Sequence, residues 1–402
     1  MSHPTDTPDP SGPTGERRAT AADAPSATEQ VDVVVLGGGP AGLQAALTLG
    51  RSHRRVVVVD GGRYRNDPAG HLHNFLTRDG TPPAELRAIA RVELAAYATV
   101  EVREARASAV EAAGDDLADG FVVTLEAAGE RAGAGQRVRA RRVLLATGLR
   151  DVLPAVAGLE ELWGDRAAHC PYCHGHELSG QAVALLGSHD HLPRIAVLLE
   201  RTASRLVVLT DGASLPEETA AALAGLGVAV RSEPVTALHR SGDGVRAELA
   251  SGPDEEVGGI FVAPVLEQAA PFAGQLGLEV LASGGVRVDA MGRTSRPGVF
   301  AAGDLAHVAE LPMAPASVLV SAAAGQLAAA GAPAPPPPRR RRPGGRAPGG
   351  AHAAGGGPGL RAGAGLSPCG AACAAGARRR RPRFRPSRRS GARGRRRPRA
   401  AR

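Results

Sequence analysis

The chain contains no lysine, and aromatic residues fill only 2% of its 402 positions. Core volume must then come from Ala, Val and Leu, and a hydrophobic share of 43% is enough to supply it. Cysteine is scarce: Cys170/Cys173 and Cys369/Cys373 are all there are, which excludes a disulphide-rich secreted scaffold. No apolar run reaches the length of about 18 residues that a membrane span needs, so no membrane partner is expected. Residues 1–30 have no apolar stretch. They read as a disordered extension, not a signal peptide, and a cytoplasmic protein is the simplest expectation.

Acidic residues are missing from 332–402. That segment holds 20 of the 48 basic residues, all arginine. The other 28 face all 40 acids, so residues 1–331 carry −12 while the whole chain carries +8. The basic balance would suggest a nucleic-acid partner. It belongs to the tail alone, so nucleic acid is not expected as a partner. The tail, with PPPPRRRR and ARRRRPRFRPSRRS, cannot bury a core and is expected to be disordered. Its composition looks like out-of-frame translation of a GC-rich gene. A solvated extension, an electrostatic arm and a second redox pair at Cys369/Cys373 are the alternatives.

What is present begins with Val31–Leu36 (VDVVVL), a buried-strand pattern running into Gly37-Gly38-Gly39-Pro40-Ala41-Gly42. An apolar helix, Leu43–Arg51, and a strand, Arg55–Asp60, follow, and Arg142–Gly148 is a further buried strand. A second unit repeats the pattern with strand Gln181–Leu186, helix Leu192–Arg201 and strand Arg205–Thr210. Gly259–Val265 and Gly298–Gly303 add short strands, and Ala314–Ala330 reads as a closing helix. The expected fold is α/β, with two Rossmann-like domains and the second inserted into the first. The first would comprise 31–152 and 266–331, the inserted one 153–265.

The glycine run fits G-x-G-x-x-G between a strand and a helix. Gly37 allows the tight turn, Gly39 lets a pyrophosphate approach the backbone, and Gly42 lets helix and strand pack closely. Pro40 and Ala41 open the helix, whose N-terminus favours phosphate. Asp60 ends the next strand, where an acid accepts hydrogen bonds from ribose hydroxyls. The late stretch Gly298–Asp304 (GVFAAGD) ends a short strand in Gly303-Asp304, and Asp304 can accept from a ribityl hydroxyl or simply cap a helix. Cys170-Pro171-Tyr172-Cys173-His174-Gly175-His176 carries the chemistry. Two cysteines three apart can cycle as a small-loop disulphide, and a helix start and a nearby His favour thiolate. Zinc on Cys170, Cys173, His174 and His176 is the alternative, although Cys173 and His174 are too close in sequence to face one metal easily.

Together, GGGPAG, the central CxxC and TSRPGVFAAGD resemble the low-molecular-weight thioredoxin reductase family over roughly 31–330. CPYCHG and His73–Gly80 (HNFLTRDG) look more like a subgroup that includes flavin-dependent dithiol oxidases of natural-product pathways. The resemblance implies FAD as cofactor, a substrate-facing Cys170, a flavin-facing Cys173, and flavin contacts from Asn74, Thr147 and Gly148. It also implies a homodimer. The family's acid–base Asp after the second cysteine is replaced by His174, which can shuttle a proton near neutrality.

The second unit lacks a recognisable nucleotide turn. Gly187-Ser188-His189-Asp190-His191-Leu192 keeps only the first glycine, and His189 and Asp190 oppose phosphate binding. Asp211 would repel a 2′-phosphate, although it could accept from an NADH ribose, so a noncanonical NADH site is the alternative to a lost one. NAD(P)H is therefore not expected as a cofactor. The chain is predicted to be an FAD enzyme that oxidises a small-molecule dithiol through Cys170 and Cys173, with molecular oxygen as acceptor. The alternative is an NAD(P)H-dependent, thioredoxin reductase-like reductase of a thioredoxin-like protein.

Overall fold

A computed structural model describes residues 30–126 and 135–332. The expectations for residues 1–29 and for 333–402, including Cys369 and Cys373, lie outside the described residues. The first sheet is built from β1 (Gln30–Leu36), β2 (Val56–Asp60), β3 (Val100–Glu104), β4 (Ala107–Ala112), β5 (Phe121–Leu125) and β6 (Arg137–Leu145), in the order β3-β2-β1-β6-β5-β4. β1, β2, β3 and β6 run parallel. β4 and β5 form an antiparallel extension. β6 forks: Arg137–Ala140 pairs with β5, and Val143–Leu145 pairs with Val299–Ala301.

Alternation along β1 and β2 assigns the two sheet faces. Val33, Val35, Val56 and Val58 pack with Leu43, Ala45, Ala46 and Leu49 of helix α1 (Pro40–Arg51). Val34, Leu36, Val57 and Val59 face the opposite cluster around Phe121 and Val123. The closing helix, Val318–Gly331, lies against α1, and a side chain at Gly325 would collide with the Ala41 carbonyl oxygen. Small residues thus replace aromatic bulk with close backbone approach.

The inserted part holds a parallel five-stranded sheet in the order 229–231, 205–209, 182–186, 259–262 and 167–168. A three-stranded antiparallel sheet, Val235–Ser241, Gly244–Leu249 and Glu255–Val257, packs with it. The chain enters through Leu149–Val152 and returns through Val265–Gln268, and these two segments pair antiparallel.

Some elements differ from the sequence reading. The strand expected at Gly259–Val265 splits, because Pro264 has no N–H to continue a ladder. The closing helix starts at Val318, where Ser317 accepts a hydrogen bond from the Val320 N–H at 3.1 Å. β6 begins five residues before the expected Arg142, through alternating Arg and small residues.

Candidate active site

The turn between β1 and α1 is shaped by absent side chains. Gly37 has φ +114°, and a Cβ there would strike the Ala146 carbonyl. At Gly42 a Cβ would strike the Gly37 carbonyl, so helix and turn touch. A Cβ on Gly39 would meet nothing within 4 Å, and one on Gly148 likewise. No side chain caps α1, whose first residue is Pro40. The turn therefore leaves the helix N-terminus uncapped, with open space beside Gly39, the physical requirement for an anion site.

Other expected residues gather around it. The Thr147 nitrogen flanks Gly37. A Cβ on Gly303 would lie 3.0 Å from the Ala41 Cβ, which places the Gly303-Asp304 turn against the first turn of α1. Asp60 is buried beside Gly38, but its carboxylate is already engaged. Oδ1 accepts from the Gly62 N–H at 3.0 Å, and Oδ2 accepts from the Tyr64 hydroxyl at 2.6 Å and from Arg91. A carboxylate has about four acceptor positions, so capacity remains for a ribose. Burial, then the bond to Asp60, pushes the Tyr64 hydroxyl up to about 12. Asn74 is exposed with φ +61°, its N–H given to Asp79 Oδ1 at 2.7 Å.

Cys170 and Cys173 form a disulphide with Cα atoms 5.3 Å apart. Cys170 precedes a single helical turn, Pro171–His174, and the Cys173 N–H donates to its carbonyl at 3.0 Å. Both cysteines are half-buried, and Tyr172 between them is exposed. The His174 ring is half-buried, its Nδ1 buried with no hydrogen-bond partner. Burial holds its pKa below the ordinary imidazole range, so it is neutral at pH 7. His73 lies 3.5 Å from Glu177, joining the His73–Gly80 loop to this segment. No cluster able to hold a metal occurs among the described residues.

A partly buried ion cluster joins these parts, and sequence reasoning missed it. Arg65 donates a fork to Asp151, with Nη2 at 2.7 Å from Oδ1 and Nε at 3.0 Å. Its Nη1 donates to Asp304 Oδ2 at 2.9 Å, and Asp304 Oδ1 accepts from the Ser321 hydroxyl at 3.1 Å. Arg65 Nη2 also lies 3.5 Å from His169 Nε2. His169 immediately precedes Cys170 and stacks on Trp163 at 5.9 Å. Burial first, then the Arg65 charge, pushes its pKa down to about 4.

The second unit reproduces one hydrogen bond of the first. The Gly37 N–H donates to the Val59 carbonyl at 2.8 Å, and the Gly187 N–H donates to the Leu209 carbonyl at 2.9 Å. By that correspondence Thr210 stands where Asp60 stands. Thr210 is buried and its hydroxyl has no partner. The His189 ring lies 3.3 Å from where a Gly187 Cβ would be, and both ring nitrogens are unpartnered. The following helix begins at Leu192, five residues after the glycine, whereas α1 begins three after Gly37. Asp211 is exposed and spends its Oδ1 on the Val235 N–H at 2.8 Å.

The family profile described as pyridine nucleotide-disulphide oxidoreductase matches residues 31–326. The chain belongs to the pyridine nucleotide-disulphide oxidoreductases. Within that family it is thioredoxin reductase-like. It is 34% identical over 319 residues to thioredoxin reductase tcpT of Claviceps purpurea, covering 75% of this chain and 94% of that one. It is 32% identical over 315 residues to thioredoxin reductase sirT of Leptosphaeria maculans, covering 73% and 92%. The crystal structure of HlmI is 37% identical, with a TM-score of 0.66, and covers 75% of this chain and 91% of that one.

As a flavin disulphide oxidoreductase of this family, the protein binds FAD. The residues present suit that group. The open space at Gly39 and the uncapped α1 N-terminus fit a pyrophosphate, while Asp60 and Asp304 bracket the turn with acceptors. Among the described residues no helix is long and apolar enough to cross a membrane.

Proposed function

We propose that this flavoenzyme oxidises a small-molecule dithiol to its disulphide through Cys170 and Cys173, with oxygen as the final acceptor. The observation that carries this reading is the contrast between the two glycine turns. The first is open and uncapped, while at the second His189 stands over the turn and the helix starts two residues late. A pyrophosphate at the second turn would meet an imidazole instead of bare backbone. A 2′-phosphate would also find Asp211 nearby. The nicotinamide cofactor typical of the family is thus disfavoured as electron source, and the substrate dithiol supplies the electrons.

In this scheme a substrate thiolate attacks Cys170 Sγ and the Cys170–Cys173 bond breaks, leaving a mixed disulphide and a Cys173 thiolate. The second substrate thiolate closes the product disulphide and expels Cys170. His174 Nδ1, neutral and without a partner, takes the proton from an attacking thiol. Asp60, Asn74, Thr147, Gly148 and Asp304, with Gly37–Gly42, would hold FAD. FAD held there would supply a two-electron acceptor for the reduced Cys170–Cys173 pair and a link to oxygen, so that overall two electrons and two protons leave the substrate and appear as hydrogen peroxide. The resemblance favours a homodimer.

The thioredoxin reductase names of the relatives favour the reverse direction, NAD(P)H-driven reduction of a thioredoxin-like protein. Anaerobic mixing with NADPH, NADH and a small dithiol in parallel separates the two. Bleaching of the flavin by the dithiol alone supports oxidation. Rapid bleaching by NADPH, with none by the dithiol, overturns it.

A further inference from the structure

We infer that Arg65 is the positioning residue that couples the flavin-holding carboxylate Asp304 to the redox disulphide, through His169. The inference extends the reading above, because it takes Asp304 as a flavin contact. The geometry is specific. One guanidinium reaches three segments far apart in sequence: Asp151 on the ribbon where the chain enters the insertion, Asp304 after the late strand, and His169 next to Cys170. The side chains of Arg65, Asp151 and Asp304 are 13%, 7% and 19% exposed, so the cluster is largely shielded from solvent. Two carboxylates this close would repel each other without the cation between them.

Arg65 has donors only, so its contact with His169 is favourable when Nε2 carries a lone pair. That selects a neutral imidazole with its proton on Nδ1. The groups facing His169 are Arg65, Asp151, Asp304 and His174, and the Trp163 ring covers one side. The two carboxylates favour a protonated ring, while burial first, then Arg65 and His174, oppose it. Arg65 therefore adds to burial in keeping a positive charge from forming beside Cys170. It also fixes the Asp304 carboxylate, with Ser321 holding the other oxygen. Planar fork and charge are separate contributions: Lys supplies the second without the first.

The test compares R65M and R65K in the full-length holoenzyme. In R65M the FAD dissociation constant, from flavin fluorescence, is expected to rise about tenfold or more. Dithiol-driven flavin reduction should gain an ionisation between about pH 5 and pH 7 as His169 begins to titrate. R65K should restore the wild-type pH profile while recovering only part of the FAD affinity. A folded R65M with wild-type affinity and pH profile overturns the inference. Weakened FAD binding with an unchanged profile also overturns the coupling to His169. Should R65M not fold, Trp163 emission compared between the unaltered protein and the neutral but polar R65Q decides, with H169Q as control. Trp163 is the chain's single tryptophan and is stacked on His169, whose protonation quenches it. A quench midpoint that lies higher in R65Q than in the unaltered protein supports the inference, and the same midpoint in both overturns it. A wild-type protein that binds no flavin defeats the FAD reading itself, and is distinguishable from all of these.

Discussion

His174 and His169 flank the same disulphide with different tasks. His174 is neutral and has an unpartnered Nδ1, so it is suited to accept a proton. Replacing it by Asn should slow dithiol-driven flavin reduction by about 10²-fold. Thiol titration should still find Cys170 and Cys173 paired, and the acid limb of the pH–rate profile, which lies below the ordinary imidazole range, should vanish. His169 instead influences stability. Its folded pKa of about 4 lies below the ordinary 6.5, so the unfolded chain binds the proton first. Its contribution is fully present above pH 6.5 and is lost as pH falls towards 4. Urea midpoints should therefore fall across that window, and H169Q should flatten the slope by up to a few kcal/mol over the range. Neither Arg65 nor His169 was legible as a site residue. Their partners lie 86 to 239 positions from Arg65, and no local pattern marks a long-range ion cluster.

At the level of elements, the glycine turn separates folding from binding. Gly39 faces open space with extended backbone (φ −78°, ψ −177°), so G39V should leave the apoprotein fold intact. The new side chain would nonetheless fill that space, and flavin content after purification should drop to near zero. Gly42 faces the Gly37 carbonyl, so G42A should cost about 1–3 kcal/mol by forcing α1 off the turn, visible as a lower melting temperature even without flavin. Both glycines were legible because a strand, a turn and a helix stand in one short run. The buried parallel strands were legible for the same reason, as continuous Val and Leu runs. The antiparallel pieces were not: β4 (ASAVEA) and Val235–Ser241 (VTALHRS) mix small and charged residues, and pairing, not propensity, makes them strands. Asp60 was read as a strand end, which it is, but its burial and its bonds to Tyr64 and Arg91 arise from α2 (Pro83–Ala95) and the β2 loop folding over it.

For the molecule as a whole, charge and chemistry separate along the chain. All the acids lie before residue 332, and 20 arginines follow it. A protein ending at residue 332 should bind an anion exchanger near neutral pH, whereas the full chain should not. Its flavin content and dithiol-driven flavin reduction should match those of the full chain, since every residue assigned to the site lies within 37–321. A large loss of flavin on truncation would give the tail a role that the composition does not suggest.

The contact between Gly325 and the Ala41 carbonyl also has a bearing on biosynthesis. The first helix described must wait for the last helix described before its packing partner exists. At about 5–20 residues per second, that interval is roughly 15–60 s. For most of it the glycine turn has no closing helix above it, and neither Asp304 nor Ser321 has been made. Flavin loading is then a late event in the life of each chain, and a nascent chain stalled inside the insertion should carry no cofactor.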